Sequence, residues 1–188
     1  ERLAVMKKFE EFDAACAAVR KATGRVVSPA NDNAPEQIVI AGHKDAVLEA
    51  MKKCSEEAVG ARRAIELPVS APFHCELMKP AAERLAPELR AAAWKKVEAS
   101  YIANVDATLH PLGDSPAVVE RLVRQITAPV HWVRSVEAAH THGARRFIEI
   151  GPGAVLAGLG RKILGEREAT LSNVDRWEDF SHHAETFI

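Results

Sequence analysis

The stretch 146–164 limits the fold more than any other. Arg146-Phe-Ile-Glu-Ile150 is a strand-type run, Gly151-Pro-Gly153 breaks it, and 154–164 reads as a helix, with another strand predicted at 169–174. A strand that feeds a helix and then a strand pairs in parallel, so this half of the chain is of the α/β class. The segments leading to it fit the same class. Val97–Val105 is strand-like, while 116–126 and 133–142 are helical, the second ending at Gly143. Between 77 and 89, Leu77, Ala81, Leu85 and Leu89 recur every four residues and predict a helix, with a kink or break expected from Pro80 and Pro87.

The first 69 residues follow a different order. Residues 3–6 read as a short strand, and 9–22 as a helix with an apolar stripe of Phe12, Ala15, Cys16 and Val19, stopped by Thr23-Gly24. Arg25-Val-Val27 reads as a strand that runs into Ser28–Pro35, a loop dense in Pro, Asn and Asp. Strand 37–41, an amphipathic helix 45–58 and strand 64–69 complete the order β-α-β-β-α-β, which is ferredoxin-like. The expected organisation is therefore an α+β small subdomain over 3–69, an α/β portion over 70–175, and a tail over 176–188.

Composition excludes some classes of partner. Of 188 residues, 25 are Lys or Arg and 26 Asp or Glu, so a net charge of -1 gives no bulk attraction to nucleic acid or an anionic membrane. Cys16, Cys54 and Cys75 form no CxxC, and neither a signal peptide nor an apolar run of membrane-spanning length is present, which points to a reducing cytoplasm.

Several motifs invite chemistry. Glu149–Gly158 has the strand, glycine turn and helix start of a phosphate cradle but lacks the GxGxxG and P-loop spacings, so a tight packing turn is the better reading. Val39-Ile-Ala-Gly-His-Lys44 begins like a nucleophile elbow, yet Lys44 stands where serine would be. His140, His142, His182 and His183 lack convergent ligands, and no metal site is expected. Cys75 adjoins His74, but neighbouring side chains at a corner diverge, so Cys75 reads as a small buried hydrophobe rather than a thiol nucleophile.

His74 stands out among these. In Ser70-Ala-Pro-Phe-His-Cys-Glu-Leu-Met78, Pro72 and Phe73 restrain the backbone and exclude water, and the histidine lies where a strand ends and a helix starts. That placement suits a general base held at a cleft and names no substrate.

Together with Val27–Pro35, Ile38–His43, Leu67–Met78, Asn104-Val-Asp106, Val123-Arg-Gln125, Pro129-Val-His-Trp132 and Glu149–Gly158, in register over residues 3 to about 174, the chain resembles the malonyl-CoA:acyl carrier protein transacylase family. The resemblance implies that His74 is the catalytic base and that the backbone carbonyl of Gln125 orients its imidazole. It also places Phe73 beside the acyl pocket, where relatives taking malonyl carry Phe and those selecting methylmalonyl often carry Ser. Asn31, Asn33 and Asn104 become candidate pocket residues. The implied reaction moves malonyl from coenzyme A to the phosphopantetheine thiol of acyl carrier protein through a serine ester, in fatty-acid biosynthesis, without a cofactor. An acidic carrier protein calls for an electropositive rim, for which Arg62, Arg63, Arg145, Arg146, Arg161 and Lys162 are candidates.

The departures are equally specific. The family's Gly-His-Ser-x-Gly elbow, the arginine that pairs with the malonyl carboxylate, and the oxyanion-hole residues have no counterpart in this sequence. The chain, which opens on Glu1 rather than Met, thus reads as the C-terminal portion of the family: the ferredoxin-like subdomain and the last part of a hydrolase-like acyltransferase core. Its expected partner is the N-terminal portion bearing the serine. Alone it is expected to be inactive. The alternatives are a noncatalytic carrier-protein-binding or regulatory module, and a thiol enzyme built on Cys75.

Overall fold

The protein is described by a computed structural model over residues 2–55, 61, 63–95, 98–111 and 115–176. Helix α1 (Arg2–Thr23) opens the chain. Residues 3–6, expected as a strand, lie inside it, because Leu, Ala, Met, Lys and Glu are strong helix formers and no Gly or Pro interrupts them before Gly24. The helix stops where expected: Gly24 takes φ +67 and donates its N–H to Arg20 O at 2.9 Å, a left-handed cap.

Strand β1 (Val27–Ala34) and strand β2 (Gln37–Gly42) form an antiparallel pair. The Pro/Asn/Asp-rich segment expected as a loop is therefore mostly β1. It accommodates those residues through register shifts between Pro29 and Asn31 and between Asp32 and Ala34, where the missing Pro donor and the extra residues are tolerated. Helix α2 (Lys44–Ser55) follows, and with α1 it buries one side of the hairpin in a core of Cys16, Val19, Val27, Ala46 and Ala50. Gly42 is required there, since a Cβ would overlap the carbonyl of Val26.

Among the described residues this first part is α-β-β-α. The segment 64–69, expected to close the sheet, has no ladder partner, and Pro68 removes one of its donors.

A single 3-10 turn (Glu76–Met78) leads into helix α3 (Lys79–Ala91). The helix is continuous, so the prolines do not break it: Pro80 lies in the first turn, where a missing N–H is harmless, and Pro87 is accommodated inside. Its buried residues are Ala82 and Ala86, one position round from the expected stripe, and Leu85 is exposed. Of the strand-like run 97–105, Val97 lies outside the described residues and 98–105 contains only β3 (Tyr101–Ile102), paired antiparallel with β4 (Leu109–His110), which no pattern announced. Helix α4 (Ser115–Arg124) is tied to α3 by a bidentate Arg90–Glu120 pair at 2.9 and 3.1 Å.

Helix α5 (Trp132–Thr141), strand β5 (Arg146–Ile150), helix α6 (Val155–Leu164) and strand β6 (Thr170–Val174) match the sequence reading. β5 and β6 pair in parallel from Arg146↔Thr170 to Ile150↔Val174. Val133, Val136, Ile163 and Leu164 form the second core, packed against Phe147 and Leu171. The two cores are joined where Val130 bridges β1: Asp32 N–H donates to Val130 O and Val130 N–H to Ala30 O, both at 2.9 Å. Among the described residues no helix is long and apolar enough to cross a membrane.

Candidate functional site

Phe73 and His74 form a turn between the extended segment that ends at Pro72 and the 3-10 turn before α3. His74 has φ +60 there, a left-handed conformation that costs a non-glycine residue about 1–3 kcal/mol and persists only where the surroundings impose it. Cys75 supplies part of that restraint. It is fully buried, extended in backbone at φ -138 and ψ 171, and its thiol donates to Pro72 O at 3.1 Å.

The imidazole meets the end of α4. Gln125 N–H still bonds back to Arg121 O at 2.9 Å, but its own carbonyl is one of those that a helix leaves without an internal partner. His74 Nδ1 lies 2.9 Å from that oxygen. A carbonyl can only accept, so Nδ1 carries the proton and the lone pair is on Nε2. The ring is half-buried, and Phe73 beside it is 51% exposed.

The other candidates converge on a neighbouring segment. Asn31 on β1 bridges Val130, and Asn104 O accepts the His131 N–H at 2.9 Å, so both meet the strand-like link five and six residues beyond Gln125. Asn33 lies two residues further along β1. Below Asn104, Asp106 anchors a polar cluster: it accepts from His110 Nε2 at 3.1 Å and Arg121 Nε at 3.3 Å, and Arg121 reaches Tyr101 Oη at 2.9 Å. Hydrogen bonds to His110 and Arg121 hold the Asp106 carboxyl below its ordinary range, although burial works the other way as the largest single influence.

Buried charge that the sequence did not reveal sits at the joint of the two cores. Asp32 is 4% exposed on β1, and burial pushes its carboxyl up to about 6, with Arg134 opposing and Glu137 adding to the shift. Burial likewise pushes the His131 imidazole down to about 4, helped by Arg134 and Arg124 and opposed by Asp106. Phe9 of α1 packs edge-on against the His131 ring at 5.4 Å. An Asp among alternating positions of a bulged strand was the available signal.

The remaining motifs resolve into structural roles. Glu149 on β5 reaches over the glycine turn and accepts from Leu156 N–H at 3.1 Å and Ala157 N–H at 2.8 Å, so the donors that would cradle a phosphate at the start of α6 are taken. Glu149→Ala is expected to lower stability by about 1–2 kcal/mol, read as a lower urea midpoint at unchanged slope. His43 accepts the Val26 N–H on Nδ1 at 3.0 Å and returns its own N–H to Val26 O at 2.8 Å, which pins β1 to the start of α2. Burial raises the Cys75 thiol above its ordinary range, the opposite of what a thiolate nucleophile needs. The rim cations Arg63, Arg145, Arg146, Arg161 and Lys162 are all exposed, with Arg145 also bonding His140 O and Arg161 bonding Leu171 O. Arg62 and the tail beyond Arg176 fall outside the described residues.

Fold and corner together define an α/β chain that presents an imidazole oriented by a main-chain carbonyl at the entry to a helix. No protein-family model matches it. Relatives do: it is 43% identical over 91% of its length to the malonyl CoA-acyl carrier protein transacylase of Escherichia coli (strain K12), of which it covers 54%. It also superposes, at TM-score 0.83 and 40% identity over 93% of its length, on 54% of an acyl carrier protein S-malonyltransferase from Vibrio cholerae O1 biovar eltor. A structure of a malonyl-transacylase with its type II PKS acyl-carrier protein matches at TM-score 0.82 and 40% identity, covering 94% of this chain and 55% of the other. The chain is a homologue of the malonyl-CoA:acyl carrier protein transacylase family, and it spans about half the length of the curated relatives that it matches.

Proposed function

We propose that this chain supplies the histidine half of an acyl carrier protein S-malonyltransferase, working with a portion that carries the serine nucleophile. The observation that supports it most directly is the 2.9 Å contact between His74 Nδ1 and the Gln125 carbonyl. With the proton fixed on Nδ1, Nε2 takes the serine proton as the oxygen attacks the malonyl-CoA thioester. The thioester C–S bond breaks, and the imidazolium returns the proton to the departing CoA sulfur. In the second half, Nε2 takes the proton of the carrier protein's phosphopantetheine thiol, whose sulfur attacks the malonyl-serine ester, and the serine oxygen leaves as the hydroxyl with that proton. A neutral carbonyl orients the ring without adding a charge, and the negative end of α4 faces the ring that becomes cationic.

The rest of the protein has an identifiable seat. Ile65, Leu67 and Val69 alternate at 59%, 50% and 63% exposure, and Ile150 and Val155 are 72% and 68% exposed at the tip of a two-stranded parallel sheet. Parallel sheets are ordinarily covered on both faces, so the serine-bearing portion belongs against β5. In that larger assembly residues 3–69 form the ferredoxin-like subdomain, with 64–69 as its closing strand. Residues 70–175 form the end of the hydrolase-like core. Fatty-acid biosynthesis is the pathway and the cytoplasm the compartment, where buried thiols such as Cys16, Cys54 and Cys75 stay reduced.

Incubation of the complete protein with malonyl-CoA, followed by peptide mass spectrometry, tests this reading. A malonyl ester on a serine outside these 188 residues is expected; label on Cys75 would sink it. Phe73, exposed beside the base, would crowd a substituent on the acyl α-carbon. Phe73→Ser is therefore expected to raise the use of methylmalonyl-CoA relative to malonyl-CoA by about ten- to a hundredfold, read as the ratio of the two kcat/KM values. Asn31, Asn33 and Asn104 line the same pocket in this reading, and the exposed cations Arg63, Arg145, Arg146, Arg161 and Lys162 contribute to the carrier-protein rim.

A further inference from the structure

We infer that Cys75 is a positioning residue for His74, and that its thiol proton, rather than its bulk alone, keeps the imidazole on the Gln125 carbonyl. The inference rests on the role proposed for His74. His74 occupies a left-handed backbone position at φ +60 that only glycine, asparagine and aspartate adopt readily, so the turn must be closed from outside the residue itself. The groups that close it are few. Phe73 N–H bonds to Ala71 O at 3.0 Å on the near side, and Met78 N–H bonds to Cys75 O at 3.0 Å on the far side. Neither spans His74. The Cys75 thiol does: it reaches back three residues to Pro72 O at 3.1 Å, bracketing both Phe73 and His74.

Two further observations fit a hydrogen-bonding role. Cys75 is 1% exposed, so its thiol proton would be left without a partner and shielded from water if the bond were broken. Its pKa lies above the ordinary thiol range through burial, so the sulfur keeps its proton and remains a donor throughout the working pH range. The same bond separates the positioning role from nucleophilic chemistry, because a sulfur committed to Pro72 as S–H is not a thiolate.

The expected consequence is loss of aim rather than loss of binding. Freed from Pro72, the turn relaxes toward an ordinary backbone conformation and carries Nδ1 off the Gln125 carbonyl, so Nε2 no longer points steadily at the incoming proton. In the complete enzyme, Cys75→Ala and Cys75→Val, which remove the donor, are each expected to lower kcat about tenfold with KM for malonyl-CoA within about twofold. Cys75→Ser retains an O–H that can reach the same carbonyl and is expected to keep most of the rate. The His74 ring reports independently of turnover. Long-range proton–nitrogen spectra of the protein should show a single Nδ1–H tautomer in the parent and in Cys75→Ser, and an averaged pattern in the other two. If Ala does not fold, Val decides the matter. The inference is overturned if Ala or Val retains both the parental kcat and the parental tautomer, or if Ser falls as far as they do. His74→Asn tells the two proposals apart: should it remain active, the base assignment itself is wrong, whereas an inactive His74→Asn beside fully active Cys75 variants removes only the role given to Cys75.

Discussion

Replacing His74 by alanine or asparagine in the complete enzyme is expected to lower malonyl transfer by about 10³- to 10⁴-fold while leaving the fold intact. Asparagine is the more telling variant. It tolerates the left-handed backbone at φ +60, and its amide can still donate to the Gln125 carbonyl, so the corner keeps its shape but has no site to take a proton. Alanine loses that bond as well and pays nothing in core packing, because the ring is only half-buried. The contrast with Gln125 sharpens the argument. That residue acts through its main chain, which every substitution other than proline preserves, so Gln125→Ala should change the rate by less than about tenfold. The measurement is steady-state transfer of malonyl to carrier protein, with circular dichroism as the folding control. Near-parental activity of His74→Asn would show that the base lies elsewhere.

Sequence patterns foretold the elements made by local rules. α2, α5, α6 and β5 follow from periodicity and from glycine stops, and the parallel pairing of β5 with β6 follows from the helix between them. What tertiary contact creates was hidden. β1 reads as loop because Pro29, Asn31, Asp32 and Asn33 disfavour strands, and only pairing with β2 through two bulges, plus the bridge to Val130, makes it one. The apolar run at 3–6 is too short to tell strand from helix, and α1 absorbed it. Residues 64–69 have the alternation of a strand and no ladder partner among the described residues. In the candidate site, His74 was legible from its corner, since proline, an aromatic and a helix start are side-chain signals. The carbonyl it meets was not, because every residue has one; resemblance alone singled out Gln125. Buried Asp32 and half-buried His131 escaped for a related reason, as burial of a polar residue depends on what packs over it.

That pair makes the second large prediction, because its two members respond to acid in opposite directions over the same range. Asp32 rises from an ordinary 3.8 to about 6 on folding, so the folded protein holds a proton there that the unfolded chain has released. Its contribution to stability is full below pH 4 and is lost as pH rises through 6. His131 falls from 6.5 to about 4, so the unfolded chain takes up a proton that the folded protein refuses. Its contribution is full above pH 6.5 and is lost as pH falls through 4. At roughly 1.4 kcal/mol per pH unit each is on the order of 3 kcal/mol, and in the parent protein they largely cancel. Removing one exposes the other. Between pH 6.5 and 4, Asp32→Asn should lose about 3 kcal/mol relative to the parent, whereas His131→Gln should gain a similar amount over the same acidification. Urea midpoints of the three proteins across that range measure it, and the carboxylates common to all drop out of the differences. Parallel stability curves would mean that neither group is desolvated as its place at the joint requires. Since Val130 ties β1 to the link that leads from Gln125, an acid-labile Asp32→Asn should also lose the His74 alignment before it loses the core around Val133, because the bridge between the two cores lies between them.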